Sequence, residues 1–488
     1  MTGPELASGP GPVIAITGGG ASGTLAAIYL LREAVSRRQP LRIALIDRHG
    51  RHGLGQAYAT THPAHLLNSP VGVMSAIAGD PGHLARWAAR EGLPRDGFLP
   101  RRDYGRYLAE SLADAERSAW PVARVSRITA AVVEIRRCSR GHPLRLHLAA
   151  DGRIDADAVV LATGSLPPVP PGLVLPGLIP DGRYVADPWE PGALDAVADG
   201  SPVAVLGTGL SMLDVAIALT GAHPGTTVHA ISRHALLPRE HHWPRPPAAV
   251  SPLPVSRATD GTTRLAALIR EVRLSAAAYP GHWQDVVDAL RPQIPGLWAQ
   301  LPAADQRLFL RYVARYWEVH RHRVPPQTAR RADALISAGR LTVRRGRVTA
   351  VTGRRGGLRV RIDHGGSPAG AGEAGSAELA VGWLVNCTGP ASDISTTADP
   401  LLYQLLGSGL AAPDPLRLGL DADQHGALRG ADGRPARDIF TLGPLLRGSR
   451  YETTAIPEIR DQAAALAGHL LAGEGMPVLR NREAQVPA

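Results

Sequence analysis

The sequence predicts an α/β fold made of two parallel-sheet units, on two observations. Each of two apolar strands runs into a glycine-rich loop, and each loop opens a helix. The first is Val13-Ile14-Ala15-Ile16 followed by Gly18-Gly19-Gly20-Ala21-Ser22-Gly23. The second is Val203-Ala204-Val205-Leu206 followed by Gly207-Thr208-Gly209-Leu210-Ser211. A strand, glycine loop and helix in this order cradle the pyrophosphate of a dinucleotide. Two copies far apart most simply hold two cofactors and pass electrons between them.

In the first unit, Gly18 and Gly20 permit a tight turn and a close backbone approach to phosphate, and Gly23 lets the helix pack on the strand. Ala21 and Ser22 open that helix, where free N–H groups and the helix dipole favour an anion. Thr24 to Arg37 continues it, with Leu25, Ile28 and Tyr29 on one face. The next strand, Leu41 to Ile46, ends at Asp47-Arg48. Asp47 falls roughly where a ribose-binding carboxylate belongs, about 20 residues on.

The second unit is less regular. Met212 stands where a third glycine would be, which predicts looser helix packing. A helix from Met212 to Leu219 leads to a strand from Thr226 to Ile231. That strand ends in Ser232-Arg233-His234 rather than in an acid. Arg233 suits the 2′-phosphate of NADP, so NADPH is expected over NADH.

The chain has 488 residues, 44% of them hydrophobic, which is too long for one core and implies more than one domain. No apolar run is long enough to cross a bilayer. Met1 to Pro12 lacks the basic start and apolar stretch of a signal peptide, so the cytoplasm is the expected compartment. Cys138 and Cys387, the only two cysteines, form neither a disulfide framework nor a Cys-x-x-Cys pair. There is no lysine, which removes a PLP Schiff base and a P-loop lysine. The formal charge is +10, but the arginines are scattered and few aromatics lie among them, so nucleic acid is not an expected partner. Anionic cofactors or an acidic substrate would equally favour a positive cleft.

Two further strands end alike: Ala158-Val159-Val160-Leu161-Ala162-Thr163-Gly164, and Leu384-Val385-Asn386-Cys387-Thr388-Gly389. With the two loops, these motifs resemble those of flavoproteins with two dinucleotide-binding domains, as in glutathione reductase-like and class B flavin monooxygenase-like enzymes. More narrowly, the chain is similar to the bacterial FAD/NAD(P)-binding oxidoreductases. The resemblance implies two Rossmann-like domains, FAD at the first loop and NADPH at the second, with both strand ends marking crossings between the domains. It also implies that Gly55-Gln56-Ala57-Tyr58, His65 to Pro70 and Met74-Ser75 run toward the flavin ring. Gln56, Leu67, Asn68 and Met74 are then flavin-site residues, with Asn68 a partner for N5 or O4, while Arg124-Val125 lies near the adenine. Ile439 to Pro444 occupies the place where many flavoproteins read Gly-Asp. Here Gly443 is followed by Pro444, so a side-chain contact to the ribityl chain is lost. The helix from Pro457 to Leu471 would point its N-terminus at the flavin.

The implied domain order is discontinuous. Residues 1–195 form the first part of the FAD domain, 196–380 the NADP domain, and 381–488 the rest of the FAD domain. The NADP domain is too long for a bare nucleotide fold and carries a helical insertion over 262–338. Leu265, Leu268, Ile269 and Val272 mark one helix face. Trp283, Val286, Val287 and Leu290 mark a second, and Phe309, Tyr312, Val313 and Tyr316 a third. Pro325-Pro326 is read as the stop signal. The third helix is expected to end in Trp317-Glu318-Val319-His320-Arg321-His322-Arg323. There Arg321 or Arg323 could clamp a carboxylate and His322 could relay a proton; alternatively the cluster is a basic helix end favoured by the dipole. His320 and His322 lack the partners of a metal site, and none is expected. Arg239 to Pro244 could line the nicotinamide site or be a polar loop. Gly365 to Gly375 reads as a hairpin tip.

Two cofactors without redox cysteines argue against a disulfide reductase. By fold-level analogy, the resemblance implies an NADPH-dependent flavin monooxygenase that uses O2 through a C4a-hydroperoxyflavin. N-hydroxylation of an amine or amino acid is the specific expectation, and the arginine-rich insertion suits a carboxylate-bearing small molecule. Asn68, His322 and Arg323 are its expected catalytic residues. A reductase or dehydrogenase without oxygenation, or a non-catalytic flavin-bound interaction protein, are the alternatives.

Overall fold

The computed structural model describes residue 6 and residues 8–138, 143–169, 182–244, 264–364 and 375–472. In chain order the strands are β1 (Val13–Thr17), β2 (Leu41–Asp47), β3 (Ala123–Thr129), β4 (Val132–Arg137), β5 (Leu144–Leu148), β6 (Arg153–Ala156), β7 (Ala158–Leu161), β8 (Tyr184–Val185) and β9 (Val203–Leu206). They continue with β10 (Val228–Ser232), β11 (Leu341–Arg345), β12 (Arg347–Arg354), β13 (Gly357–Asp363), β14 (Ser376–Val381), β15 (Trp383–Asn386), β16 (Ala427–Arg429) and β17 (Pro435–Thr441). The helices are α1 (Ala21–Arg37), α2 (His83–Arg90), α3 (Arg101–Ala119), α4 (Leu210–Ala222), α5 (Leu265–Ala278) and α6 (Trp283–Leu290). Then come α7 (Ile294–Gln300), α8 (Ala303–Leu308), α9 (Ala314–Arg321), α10 (Pro326–Ser337), α11 (Pro400–Gly407) and α12 (Ile456–Leu471).

Two parallel sheets organise these elements. The first has the order β16-β17-β7-β1-β2-β3, with only β16 antiparallel. The second, β11-β10-β9-β15-β8, is parallel throughout. All five residues of β1 are buried, as a central strand covered on both faces requires. Its alternation divides the core. Ile14 and Ile16 pack with α1, α3 and α12, while Val13 and Ala15 pack with the antiparallel β4-β5-β6 layer and α11. The second sheet repeats the scheme: Val203 and Val205 pack with α4 and α10, and Ala204 and Leu206 with β12-β13-β14.

Both α/β units and their helical insertion are therefore present. The second sheet reaches further along the chain than the expected 196–380. Both β8 and β15 pair into it, so it spans Tyr184 to Asn386. A two-residue strand gives almost no periodic signal, and β15 is as apolar as the first sheet's own strands.

The insertion builds its own core from Leu265, Val286, Leu290, Ile294, Trp298 and Leu301. Its third segment is not one regular helix. Phe309–Val313 forms a π-helical turn between α8 and α9, and Tyr312 and Tyr316 are exposed. The helix ends at Arg321, with His322 as its cap, so Arg323 lies outside it. Pro325-Pro326 does more than stop it. Pro325 is the cap residue of α10 and Pro326 its first helical residue, where a missing N–H costs nothing. Residues 365–374 of the expected hairpin tip lie outside the described residues, and β13 and β14 on either side pair antiparallel.

Candidate active site

The first loop sits at the C-terminal end of β1. Gly18 has φ +110°, and a Cβ there would lie 2.3 Å from the Ala162 carbonyl oxygen. A Cβ on Gly23 would lie 1.8 Å from the Gly18 oxygen, which is the close helix–strand approach the third glycine allows. Gly20 faces Gly55 across a gap that a Cβ would narrow to 3.3 Å. Asp47, at the end of β2, accepts from Gly19 N at 3.0 Å, His49 N at 2.9 Å and Arg51 N at 3.0 Å. Burial raises its pKa, but the amides of Arg51, His49 and Gly19 lower it more, and the net shift is downward. Asp47 thus anchors the loop and keeps a lone-pair site for a ribose hydroxyl.

Beside this loop is a cavity of about 250 Å³. Gly18, Gly20, Ala21, Ser22, Asp47, Arg48, Gln56, Thr163, Gly164 and Pro444 line it, together with Tyr58 and Ile456. Gln56 Nε2 donates to Asp187 at 2.5 Å. Gly443 has φ +74°, and its N–H donates to Gln462 at 2.8 Å; a Cβ there would meet the Ser22 hydroxyl at 2.8 Å. The glycine cradle, the open N-terminus of α1 and the acid at the end of β2 fit the diphosphate and ribose of FAD.

A second cavity, of about 280 Å³, shares Tyr58, Thr454 and Ile456 with the first. It collects groups from both sheets and the insertion. Asn68, Ser69, Pro70 and Met74 come from the segment after the first loop, and Thr454, Ala455 and Ile456 from the start of α12. His241, His242 and Trp243 follow β10, and the rest of the wall comes from α6 and the end of α9. The three expected catalytic residues Asn68, His322 and Arg323 all line this one cavity. His241 Nε2 donates to the Asn68 carbonyl at 2.9 Å. Burial, and then the guanidiniums of Arg321, Arg447 and Arg291, push His322 down to about 3. Its imidazole is neutral at physiological pH and donates or accepts hydrogen bonds without carrying charge. The helix end is still basic, with His320 and Arg321 in its last turn, while leaving the helix at His322 brings His322 and Arg323 to the cavity wall.

The arginines here are not bare cations. Arg323 pairs with Asp288. Arg291 holds Glu458 in a two-pronged pair at 2.6 and 2.5 Å. Arg321, 7% exposed, lies 3.1 Å from Glu452, and its Nε has no hydrogen-bond partner among the described residues.

Two expected site residues fall elsewhere. Val125 lies in mid-strand opposite Ile43, whereas Asp47 at the sheet edge is opposite Thr129. The end of β3, not Val125, therefore reaches the nucleotide level. Leu67 is 2% exposed in the first core, its N–H bonded to Leu99 O at 2.8 Å, while its neighbour Asn68 faces the cavity. Conversely, sequence reading passed over Gln284, Asp285, Asp288 and Arg291. Their signal was the polar face of α6, opposite the apolar residues Trp283, Val287 and Leu290.

The second loop repeats the first with different chemistry. Gly207 has φ +105°, and a Cβ there would meet the Cys387 oxygen at 2.3 Å. Thr388 caps that strand end, its N–H and hydroxyl both on Asn386 Oδ1 at 3.2 and 2.7 Å, and Gly389 follows at φ +84°. Gly209 has open space around it, and Leu210 and Ser211 begin α4. Met212 is fully buried, so its side chain fills the space a glycine would leave. The Thr208 hydroxyl lies 3.0 Å from Ser232 Oγ and donates to Leu236 O at 2.6 Å. Arg233 is exposed beside His234, whose pKa is lowered by burial and then by Arg315, Arg233 and Arg345.

Helix α4 is tied to the first unit through buried groups. Arg101 pairs with Asp214 at 2.8 Å, and His65 Nε2 reaches Asp214 O at 3.1 Å.

Residues 15–166 match the model of the FAD-NAD(P)-binding family. No curated protein sequence matches the chain. Solved structures with a similar fold include L-lysine 6-monooxygenase from Pseudomonas syringae, at 16% identity and TM-score 0.62, covering 95% of this chain and 99% of that one. Ornithine hydroxylase from Pseudomonas aeruginosa gives 16% identity and TM-score 0.61 over the same shares. The FAD-bound cadaverine monooxygenase from Erwinia amylovora gives 14% identity and TM-score 0.60 over 96% of each chain. No helix among the described residues is long and apolar enough to cross a membrane. Residues 15–166 thus match an FAD-NAD(P)-binding family model, in a chain whose fold is similar to that of these solved structures.

Proposed function

We propose that this chain is an NADPH-dependent flavin monooxygenase that N-hydroxylates a small amine, most specifically an amino acid. The observation that carries the reading is the 280 Å³ cavity, where both nucleotide units and the insertion meet. FAD, when bound, supplies electron transfer from NADPH and the activation of O2. Residues 18–23, Asp47, Gln56 and Thr163-Gly164 would hold its nucleotide half, and Asn68, Met74 and the start of α12 would hold its ring. Arg233 and Ser232 would hold the NADPH ribose phosphate.

The protein's own part is to bind, orient and exclude water. Asp285 and Gln284 offer acceptors to an ammonium. The Nε–H of Arg321 is a donor awaiting an acceptor, as a carboxylate would supply. His322, kept neutral, takes or gives a hydrogen bond without adding charge beside the amine. The arginine–acid pairs fix the wall, so the cavity is shaped before substrate enters. Cys387 is buried and its thiol is pushed far up by burial, which removes a thiolate from the second loop. The free thiols and low cysteine count support a cytoplasmic setting.

The test is NADPH consumption by the FAD-loaded protein across a panel of amino acids and amines, with hydroxylamine and peroxide both measured. Amine-dependent hydroxylamine supports the reading. Oxidation that yields only peroxide, or that passes to dyes without oxygen, points to a reductase. Failure of NADPH to bleach the flavin points to a non-catalytic flavoprotein.

A further inference from the structure

A further cavity, walled by described residues, takes no part in this chemistry. It measures about 690 Å³ and lies inside the insertion, between α5, α6, α7 and α9. Helix α6 divides it from the polar cavity: Trp283, Val287 and Leu290 face the apolar side, and Gln284, Asp288 and Arg291 the polar side. No lining residue is common to the two.

Three observations mark it as a site. Its volume falls in the range of about 300–1,000 Å³ usual for small-molecule pockets. Its wall includes the π-helical turn Phe309–Val313, an irregularity that recurs where helices serve ligands. Its walls are aliphatic and aromatic, and among the described lining residues only Arg273 and His320 carry ionisable basic groups, with no acid. Arg273 is exposed and has no ion-pair partner among the described residues.

We propose that this cavity binds an amphiphile with a hydrocarbon tail and a carboxylate head. The tail lies among Leu297, Trp298 and Phe309, and the head faces Arg273. This site is separate from the proposed hydroxylation site and stands whether or not that reading holds.

Trp283, Trp298 and Trp317 line the cavity, so intrinsic fluorescence reports its filling. Full-length protein is titrated with dodecanoate below its micelle concentration, and in parallel with dodecanol and dodecylammonium. A saturable one-to-one change with dodecanoate is expected, with dodecylammonium weaker. The exposed-site variant Arg273→Glu should weaken dodecanoate by about fivefold, the size of an exposed ion pair, and leave dodecanol unchanged. Leu297→Trp should narrow the space beside Trp298 and Phe309 and weaken dodecanoate and dodecanol alike while the far-UV spectrum stays native. The proposal is overturned if no amphiphile gives saturable binding, if Arg273→Glu leaves the dodecanoate preference intact, or if Leu297→Trp folds and binds both dodecanoate and dodecanol as tightly as wild type. It is also overturned if light scattering shows that a second copy of the chain occupies this face and excludes the probe.

Discussion

The two glycine loops share a scaffold and differ at the end of the next strand. In both, the first glycine adopts positive φ because a neighbouring strand end presses a carbonyl against it, Ala162 in one and Cys387 in the other. In the first loop the second residue, Gly19, hangs from the carboxylate of Asp47. In the second, the equivalent Thr208 meets the hydroxyl of Ser232, and arginines stand outside. An acid repels a 2′-phosphate, and a hydroxyl beside guanidiniums welcomes one. Parallel β-sheet geometry therefore sets where a dinucleotide would lie, and the side chains at the second strand's end would set whether its ribose can carry a 2′-phosphate.

The most severe way to break the comparison is to add a methyl group to each first glycine. Gly18→Ala and Gly207→Ala each place a Cβ 2.3 Å from a backbone oxygen at a φ that L-residues disfavour. Each should destabilise its unit by about 1–3 kcal/mol. Gly18→Ala should lose flavin, measured by the visible spectrum of the purified protein. Gly207→Ala should keep flavin and lose reduction by NADPH, measured anaerobically. If Gly207→Ala reduces normally, the second loop is not the NADPH site.

The legible part of the molecule follows from this regularity. Strand, glycine loop and helix recur with fixed spacing, so both units, Asp47 and the strand ends at Thr163 and Thr388 could be read directly. The second cavity could not be assembled this way, because its walls come from segments more than 200 residues apart, such as Asn68 and Arg323. Nothing in the periodicity of α9 says that the chain leaves the helix at His322 and turns Arg323 inward. The acids that neutralise the arginines, Glu452 and Glu458, lie on or before α12, far from the cluster they serve. Charge runs can be read locally, whereas charge pairing depends on tertiary packing.

A finer test exchanges the chemistry between loops. Arg233→Ala should raise the KM for NADPH about tenfold, the worth of a charge-assisted contact, and leave that for NADH nearly unchanged. Ser232→Asp should go further and favour NADH, because it rebuilds in the second loop the arrangement Asp47 makes in the first. Initial rates with each nucleotide decide this. Equal losses with both nucleotides would mean that Arg233 does not read the 2′-phosphate.

The smallest effect concerns how the two units are joined. His65 of the first unit reaches the carbonyl of Asp214, on the helix that follows the second loop. A carbonyl only accepts, so Nε2 carries the hydrogen and Nδ1 accepts from Thr60 at 2.7 Å. A proton on Nδ1 would reverse that bond, the Thr60 hydroxyl then accepting, so burial of the charge and not loss of a partner opposes protonation. Burial, and then nearby His62 and Arg101, push His65 down to about 4. The unfolded chain, with an ordinary histidine near 6.5, then binds more protons than the folded one from about pH 6.5 down to about pH 4. Stability must therefore fall as pH drops through that window and stay flat above it. At pH 5.5 the loss from this one histidine is about 1 kcal/mol relative to neutral pH. His322 adds a similar loss over a window that extends to about pH 3. His65→Gln preserves one donor and one acceptor but cannot titrate. Its melting temperature should decline less steeply than wild type between pH 7 and 5.5. An unchanged slope would show that His65 does not couple protons to the joining of the two nucleotide units.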